Sequence, residues 1–212
     1  MSGSDTSAVT VEAAPMRWSP WWLASGVLFI GSALMGAFRS LPGSLSGDAL
    51  VGISTTATVA FSLALVAAGI GALRRDDTLR LPQSVVVSLV LLALWLPAGP
   101  PLLTASFDLT SAAPLFVNAL VELALSGTIV AGVLRSTLVT PWRFIPAIAL
   151  AAVVLGSLME VAVMSGGVSD QNAMITVSNV LILTRILATG ALGAVALRAA
   201  RARPGAVVVF GG

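Results

Sequence analysis

The chain lacks four residue types on which much protein chemistry depends, namely cysteine, histidine, tyrosine and lysine. Without cysteine or histidine it has no conventional ligands for zinc, haem or an iron–sulfur cluster, and it has neither a thiol nucleophile nor a disulfide. Without lysine it can form no retinal Schiff base and has no amine nucleophile. The motifs GxSxG and HExxH and aspartate-rich diphosphate sites are missing as well. The sequence therefore predicts no metal, no cofactor and no catalytic residue, and it makes an enzyme the less favoured interpretation.

Charged side chains are also scarce. They make up 9% of the 212 residues, whereas hydrophobic residues make up 57% and the mean hydropathy is +1.01. Soluble domains contain about 25% charged residues, so this composition predicts an integral membrane protein whose main partner is the lipid bilayer. The net charge is only +2, and the arginines flank apolar segments. We therefore expect no nucleic-acid partner.

Six apolar segments lie along the chain, and each has about the length that crosses 30 Å of hydrocarbon at 1.5 Å per residue. They occupy residues 21–38, 49–73, 82–103, 113–134, 143–165 and 174–198. The pattern predicts an all-α, polytopic membrane protein with six transmembrane helices in one domain, residues 16–200. Residues 1–15 are expected to be a disordered cytoplasmic tail, and residues 201–212 a second cytoplasmic tail.

The distribution of arginine predicts the orientation. With the N-terminus inside, nine of the eleven arginines are cytoplasmic, Arg39 is outside, and Arg185 lies within the sixth span. Such a bias follows the positive-inside rule and places both termini in the cytoplasm. Trp18, Trp21 and Trp22 are expected to form an interfacial aromatic belt. A multi-pass protein of a bacterial inner membrane fits these features.

The third segment contains three prolines, Pro97, Pro100 and Pro101. Because proline removes a backbone donor and clashes with the preceding turn, the three are not expected together in a regular helix interior. The sequence favours a helix that ends near Leu96 at the outer surface. The alternative is a broken outer segment that lines a hydrated cavity.

Three ionisable residues lie within the spans: Glu122, Glu160 and Arg185. Glu122 and Arg185 each lie thirteen residues before a cytoplasmic arginine, so both are expected about 20 Å above the inner surface. Glu160 is expected about 6 Å further out, and Ser62 falls in the same layer as the first two. Helical spacing brings further polar residues onto the same faces. The predicted interior polar site comprises Glu122, Glu160, Arg185, Asn118, Ser62 and Ser178.

Three functions remain open for this polar layer. A carboxylate that gains and loses a proton beside a movable ion pair is the minimum for a small proton-coupled transporter, whose partner is a proton or small-molecule substrate. A non-catalytic scaffold or partner subunit would use the same charges as a structural salt bridge. An intramembrane lipid or terpenoid enzyme would use the two glutamates as acid and base. The sequence names neither the substrate nor the oligomeric state.

The segment AGVLRSTLVTPWRFIPAIALAAVVLGSLMEV, residues 131–161, resembles a family of small six-helix bacterial membrane proteins. That family is common in actinobacteria and has no established function. In it, a cytoplasmic turn of the type Arg-Ser-x-Leu-Val-Pro-x-Trp joins the fourth and fifth helices. The matching residues here are Arg135, Ser136, Leu138, Val139 and Trp142, whereas Thr140 stands where the family has proline. The resemblance covers residues 113–198 and implies architecture and inner-membrane location.

Overall fold

A computed structural model describes residues 18–40, 46–73, 81–106, 113–135, 142–162 and 171–201, without the side chains at 157, 160–161 and 171–174. The described part is all-helical. Its six helices are α1 (Pro20–Arg39), α2 (Gly47–Leu73), α3 (Gln83–Ser106), α4 (Ala113–Leu134), α5 (Phe144–Ala162) and α6 (Gln171–Ala200). Every end lies within three residues of the apolar segments predicted from the sequence.

Five of these helices, all except α5, are long and apolar enough to cross a membrane. In α5 the searched stretch Phe144–Gly156 is apolar but shorter than a span. Large apolar side chains point away from the bundle on several helices, and Leu34, Ile148 and Leu187 are each more than 60% exposed. Apolar surface of this extent is unfavourable in water. Length, composition and surface together indicate a membrane protein.

The helices pack as a closed ring in sequence order, with α1 against α2 and onward around to α6 against α1. The ring closes at the end of the bundle where α1 begins and α6 ends. There the backbone N–H of Ser19 donates to the carbonyl oxygen of Ala200 at 3.2 Å, and the guanidinium of Arg201 lies 5.2 Å from the ring centre of Trp18. A ring of this kind leaves its axis to be filled by side chains from all six helices.

Small residues bring the helix backbones close together. A side chain on Gly193 of α6 would meet the carbonyl oxygen of Gly26 on α1 at 3.2 Å, so these two backbones nearly touch. On the other side of α1, the hydroxyls of Ser25 and Ser32 donate to backbone carbonyl oxygens of α2 at 2.9 and 2.8 Å. Close backbone approach of this type is characteristic of membrane helix packing.

The helix α3 continues through Pro97, Pro100 and Pro101 and ends at Ser106. The expectation of a helix end near Leu96, or of a broken outer segment, is therefore wrong. Proline's fixed φ of about −65° is itself helical, so each proline only removes one hydrogen bond and strains the preceding turn. Membrane helices tolerate such losses because neighbouring groups and small local adjustments satisfy the freed carbonyls.

Trp22 also departs from the sequence-based expectation. Trp18 is 46% exposed, as an interfacial residue should be, but Trp22 is only 5% exposed and belongs to the hydrophobic core. Its indole packs against α2 at Gly71, where an added side-chain carbon would lie 3.0 Å from Trp22 Nε1. Trp22 is thus a core residue of the ring rather than part of an aromatic belt.

Candidate functional site

A polar cavity of about 300 Å³ lies within the half of the ring opposite the beginning of α1. Every helix contributes to it, which places it on the axis of the bundle. The residues that line it are Ser32, Met35, Gly36, Arg39, Ile53, Ser54, Ala57, Thr58, Phe61, Leu96, Glu122, Val153, Ile182, Arg185, Ile186 and Thr189. The volume is sufficient for several water molecules or a small solute.

Three charged side chains line this polar cavity: Arg39, Glu122 and Arg185. Arg39 is exposed at the last turn of α1, and its Nη1 donates to Ser54 Oγ on α2 at 3.0 Å. The exposure of Arg39 shows that the cavity reaches the protein surface. Glu122 is only 8% exposed, and Arg185 is intermediate. The cavity therefore runs from an exposed cation at its rim to a buried carboxylate on α4.

The carboxylate of Glu122 is held by a chain of two hydrogen bonds. Trp95 Nε1 on α3 donates to Asn118 Oδ1 at 2.9 Å, and Asn118 Nδ2 donates to Glu122 Oε1 at 2.8 Å. Asn118 and Glu122 lie one turn apart on the same face of α4, which allows the second bond. Asn118 thus bonds directly to Glu122, a residue that lines the polar cavity.

Glycine at position 99 explains how Trp95 can take part in this chain. The indole of Trp95 lies over Gly99, one turn later on α3, where a side-chain carbon would come within 2.5 Å of the ring. Any larger residue would therefore displace the ring from Asn118.

Arg185 enters the polar cavity from α6. Its backbone carbonyl oxygen accepts a hydrogen bond from Thr189 Oγ1 at 2.8 Å. Its guanidinium stem lies close to α5 at Gly156, where an added side-chain carbon would be 3.8 Å from Arg185 Nε. Position 160 follows Gly156 by one helical turn and shares its face of α5. The side chain of Glu160 lies outside the described residues, so its place in the interior polar site stays a prediction.

Ser62 and Ser178, like Asn118, are not among the residues that line the polar cavity. Ser62 is buried in α2 beside Phe61, and its Oγ has no hydrogen-bond partner among the described residues. Ser178 is exposed on α6, two turns beyond Arg185. Ser178 is not among the residues that line the described cavity, and its contribution to the interior site stays a prediction.

A second cavity, of about 70 Å³, lies on the same axis in the other half of the ring. It too is lined by residues from all six helices or the turns that precede them, and none of these residues is charged. They are Trp22, Phe29, Leu65, Ala68, Leu81, Leu89, Ile129, Val133, Pro146, Leu150, Leu192, Val195 and Ala196. The bundle axis therefore carries a polar cavity in one half and an apolar cavity in the other.

Sequence reasoning missed three residues that line these cavities or bond to the side chains next to them. Arg39 was assigned to an outer loop, although its position at the end of the first span placed it at the same level as the cavity rim. Trp95 gave a usable signal, because it lies within a predicted span rather than at its end. Phe29 had no signal that distinguishes it from a lipid-facing phenylalanine.

The fold and its cavities define an all-helical protein of membrane type whose six-helix ring encloses a charged, surface-reaching cavity. Comparison with protein-family models, with curated proteins and with solved structures finds no match to this chain. The resemblance to actinobacterial six-helix proteins stays a prediction, and most of the turn that carries it, residues 136–141, lies outside the described residues.

Proposed function

We propose that this protein spans a bacterial inner membrane six times and carries a small polar solute together with a proton. The observation that carries the proposal is the surface-reaching polar cavity on the axis of the ring, with the buried Glu122 and the partly buried Arg185 in its wall. Charged residues inside membrane proteins usually face such cavities and mark the path of a substrate or ion.

The orientation follows from the arginines. Arg198 lies over the Trp142 ring at 5.8 Å and Arg201 over the Trp18 ring at 5.2 Å, so the end of the ring where α1 begins is rich in cations and indoles. By the positive-inside rule this end belongs in the cytoplasm. Both termini would then be cytoplasmic, and the polar cavity would open to the outside.

Glu122 is the residue that we assign to proton uptake. It is the carboxylate that lines the cavity among the described residues, and Asn118 donates a hydrogen bond to one of its oxygens. Protonation would remove one negative charge from a cavity that Arg185 also lines, and this change in charge would alter the affinity of the cavity for a polar solute.

Transport can be tested in proteoliposomes that contain a pH-sensitive dye. A panel of amino acids, monocarboxylates, sodium and potassium is added outside, and the internal pH is followed. We expect at least one solute to change the internal pH, and Glu122→Gln to abolish the change while Asp48→Asn leaves it intact. Asp48 is a matched control because it is an exposed carboxylate that does not line the cavity. A Glu122→Gln variant with normal solute-dependent proton flux would refute the assignment.

A structural scaffold is the second candidate, favoured by the hydrogen bonds that fix Glu122 to Asn118 and Trp95. A scaffold needs no water in the cavity. The two proposals differ for a Thr58→Cys variant, because Thr58 lines the cavity. Under the transport proposal this cysteine should react from outside with membrane-impermeant thiol reagents, and under the scaffold proposal it should stay unreactive. The enzyme alternative has less support, because the apolar cavity has no carboxylate among its lining residues.

A further inference from the structure

The two cavities lie end to end on one axis, because each is lined by all six helices or the turns that precede them. On α1, the residues that line the apolar cavity run from Trp22 to Phe29, and those that line the polar cavity run from Ser32 to Arg39. Each of these two stretches of helix is about 10 Å long. Together they extend over about 25 Å, close to the 30 Å of a bilayer's hydrocarbon core. The residues that line the two cavities thus cover most of the length of the axis, and the cavities are separated at one level near its middle.

At that level the separation is thin. On α1 the lining changes from Phe29 in the apolar cavity to Ser32 in the polar cavity, a step of about 4.5 Å. On α6 it changes over the same distance, from Leu192 to Thr189. On the side of α1, α5 and α6 the two cavities are therefore separated by roughly one layer of side chains, whereas on α3 and α4 their lining residues lie seven positions, about 10 Å, apart.

Two phenylalanines occupy this layer and touch each other. Phe29 lines the apolar cavity and Phe61 lines the polar cavity, and their ring centres lie 5.1 Å apart with the planes at 72°. Edge-to-face contact of this kind stabilises a pair of rings by about 0.5–1.5 kcal/mol beyond the burial of their surface. Separating the two rings therefore costs little beyond the burial of their surface.

We infer that the two cavities form one path through the protein and that the Phe29–Phe61 pair is its closed gate. The inference rests on the proposed function and adds to it the site at which passage is controlled. The gate works by excluding water: an apolar constriction a few ångströms wide stays dry and blocks ions and polar solutes without a plug. Below the gate, the apolar cavity prolongs the dry section towards the cytoplasmic end.

Cysteine accessibility tests the gate, and the chain has no native cysteine to remove. One reporter, Thr58→Cys, lies in the polar cavity, and a second, Ile129→Cys, lies in the apolar cavity. Intact cells are treated from outside with the anionic sulfonatoethyl and the cationic trimethylammonioethyl methanethiosulfonates, so that the charge of the cavity does not decide the result. We expect the first reporter to react and the second to be protected.

Opening the gate should expose the second reporter. In the Phe61→Ala background we expect the reaction rate of Ile129→Cys to rise at least about tenfold, which corresponds to about 1.4 kcal/mol in the free energy of opening. Phe116→Ala is the matched control, since Phe116 is 52% exposed and lines neither cavity. Phe61→Leu keeps more of the apolar volume and should give a smaller rise, and it serves as the test if the alanine variant does not fold.

The outcomes separate the gate from the proposed function. If Thr58→Cys does not react, the outward-facing hydrated cavity is wrong and the transport proposal fails with it. If Thr58→Cys reacts but Ile129→Cys stays protected in both Phe61 variants, the cavity stands and the gate is refuted. Reaction of Ile129→Cys in the unmodified background would equally refute it, because the path would already be open.

Discussion

Replacing Asn118 by leucine should show how strongly the buried carboxylate depends on its neighbours. Asn118 is the middle member of the chain from Trp95 to Glu122, so the change removes both hydrogen bonds at once. Leucine has the same branched skeleton of side-chain heavy atoms, which limits the change in the packing of α3 against α4. The effect on stability should therefore arise mainly from the two lost bonds.

The size of the effect follows from the geometry. A bond to an ionised group contributes about 1.5–3 kcal/mol, and Glu122 is buried enough that water does not fully replace it. A hydrogen bond between neighbouring membrane helices, such as that from Trp95, averages about 0.6 kcal/mol. We expect Asn118→Leu to lower the free energy of unfolding by about 2–3 kcal/mol.

Glu122→Gln provides the reference. With a neutral partner at position 122, the same Asn118→Leu change should cost only about 1 kcal/mol, leaving a coupling energy of about 1–2 kcal/mol between the two positions. Unfolding is measured by titrating the micellar protein with sodium dodecyl sulfate and following its circular dichroism. Thr128→Val, which removes an exposed hydroxyl of α4, should change stability by less than about 0.5 kcal/mol. Equal costs of Asn118→Leu in both backgrounds would refute the hydrogen-bond chain.

Two further predictions concern packing and the buried charges. Gly132→Ala should lower thermal stability markedly, since its new carbon would overlap a fully buried valine of α3. Such overpacking costs about 1–3 kcal/mol, whereas Gly127→Ala on the same helix meets open space and should be neutral or stabilising. Arg185→Leu and Glu122→Leu should each lower stability, and the double variant should recover it, because an unpartnered buried charge costs more than an apolar pair. Single-variant losses that simply add would show that the two charges do not interact.

The sequence predicted the helices well because each one follows from a property that is local in the chain. An apolar run of about 20 residues flanked by arginines specifies a membrane helix without reference to the other helices. Counting residues from a helix end also placed Glu122 and Arg185 at similar heights in the bundle. Both residues line the same cavity.

The errors arose where the outcome depends on contacts between helices. Pro97 was expected to end a helix, but helix continuation depends on what surrounds the freed carbonyl, which the sequence does not give. Trp22 was expected at the interface, but the absence of a side chain on Gly71 allows its ring to enter the core. The aromatic pair was invisible for the same reason, because Phe29 and Phe61 meet only once α1 and α2 are packed.

The energetics of the buried charges bear on the choice between a transporter and a scaffold. An arginine near the bilayer centre costs about 2.5–3.5 kcal/mol on insertion scales, and a buried ion pair can often be replaced by apolar residues with no loss of stability. The ring is held together by the close contact of α1 with α6 at Gly26 and Gly193 and by an apolar core that includes Leu192. This packing does not depend on charged residues. Arg185 and Glu122 instead line the one large space that this packing leaves in the polar half of the described bundle. Charges that add cost to the fold and point into a cavity are better explained by what the cavity binds than by what holds the helices together.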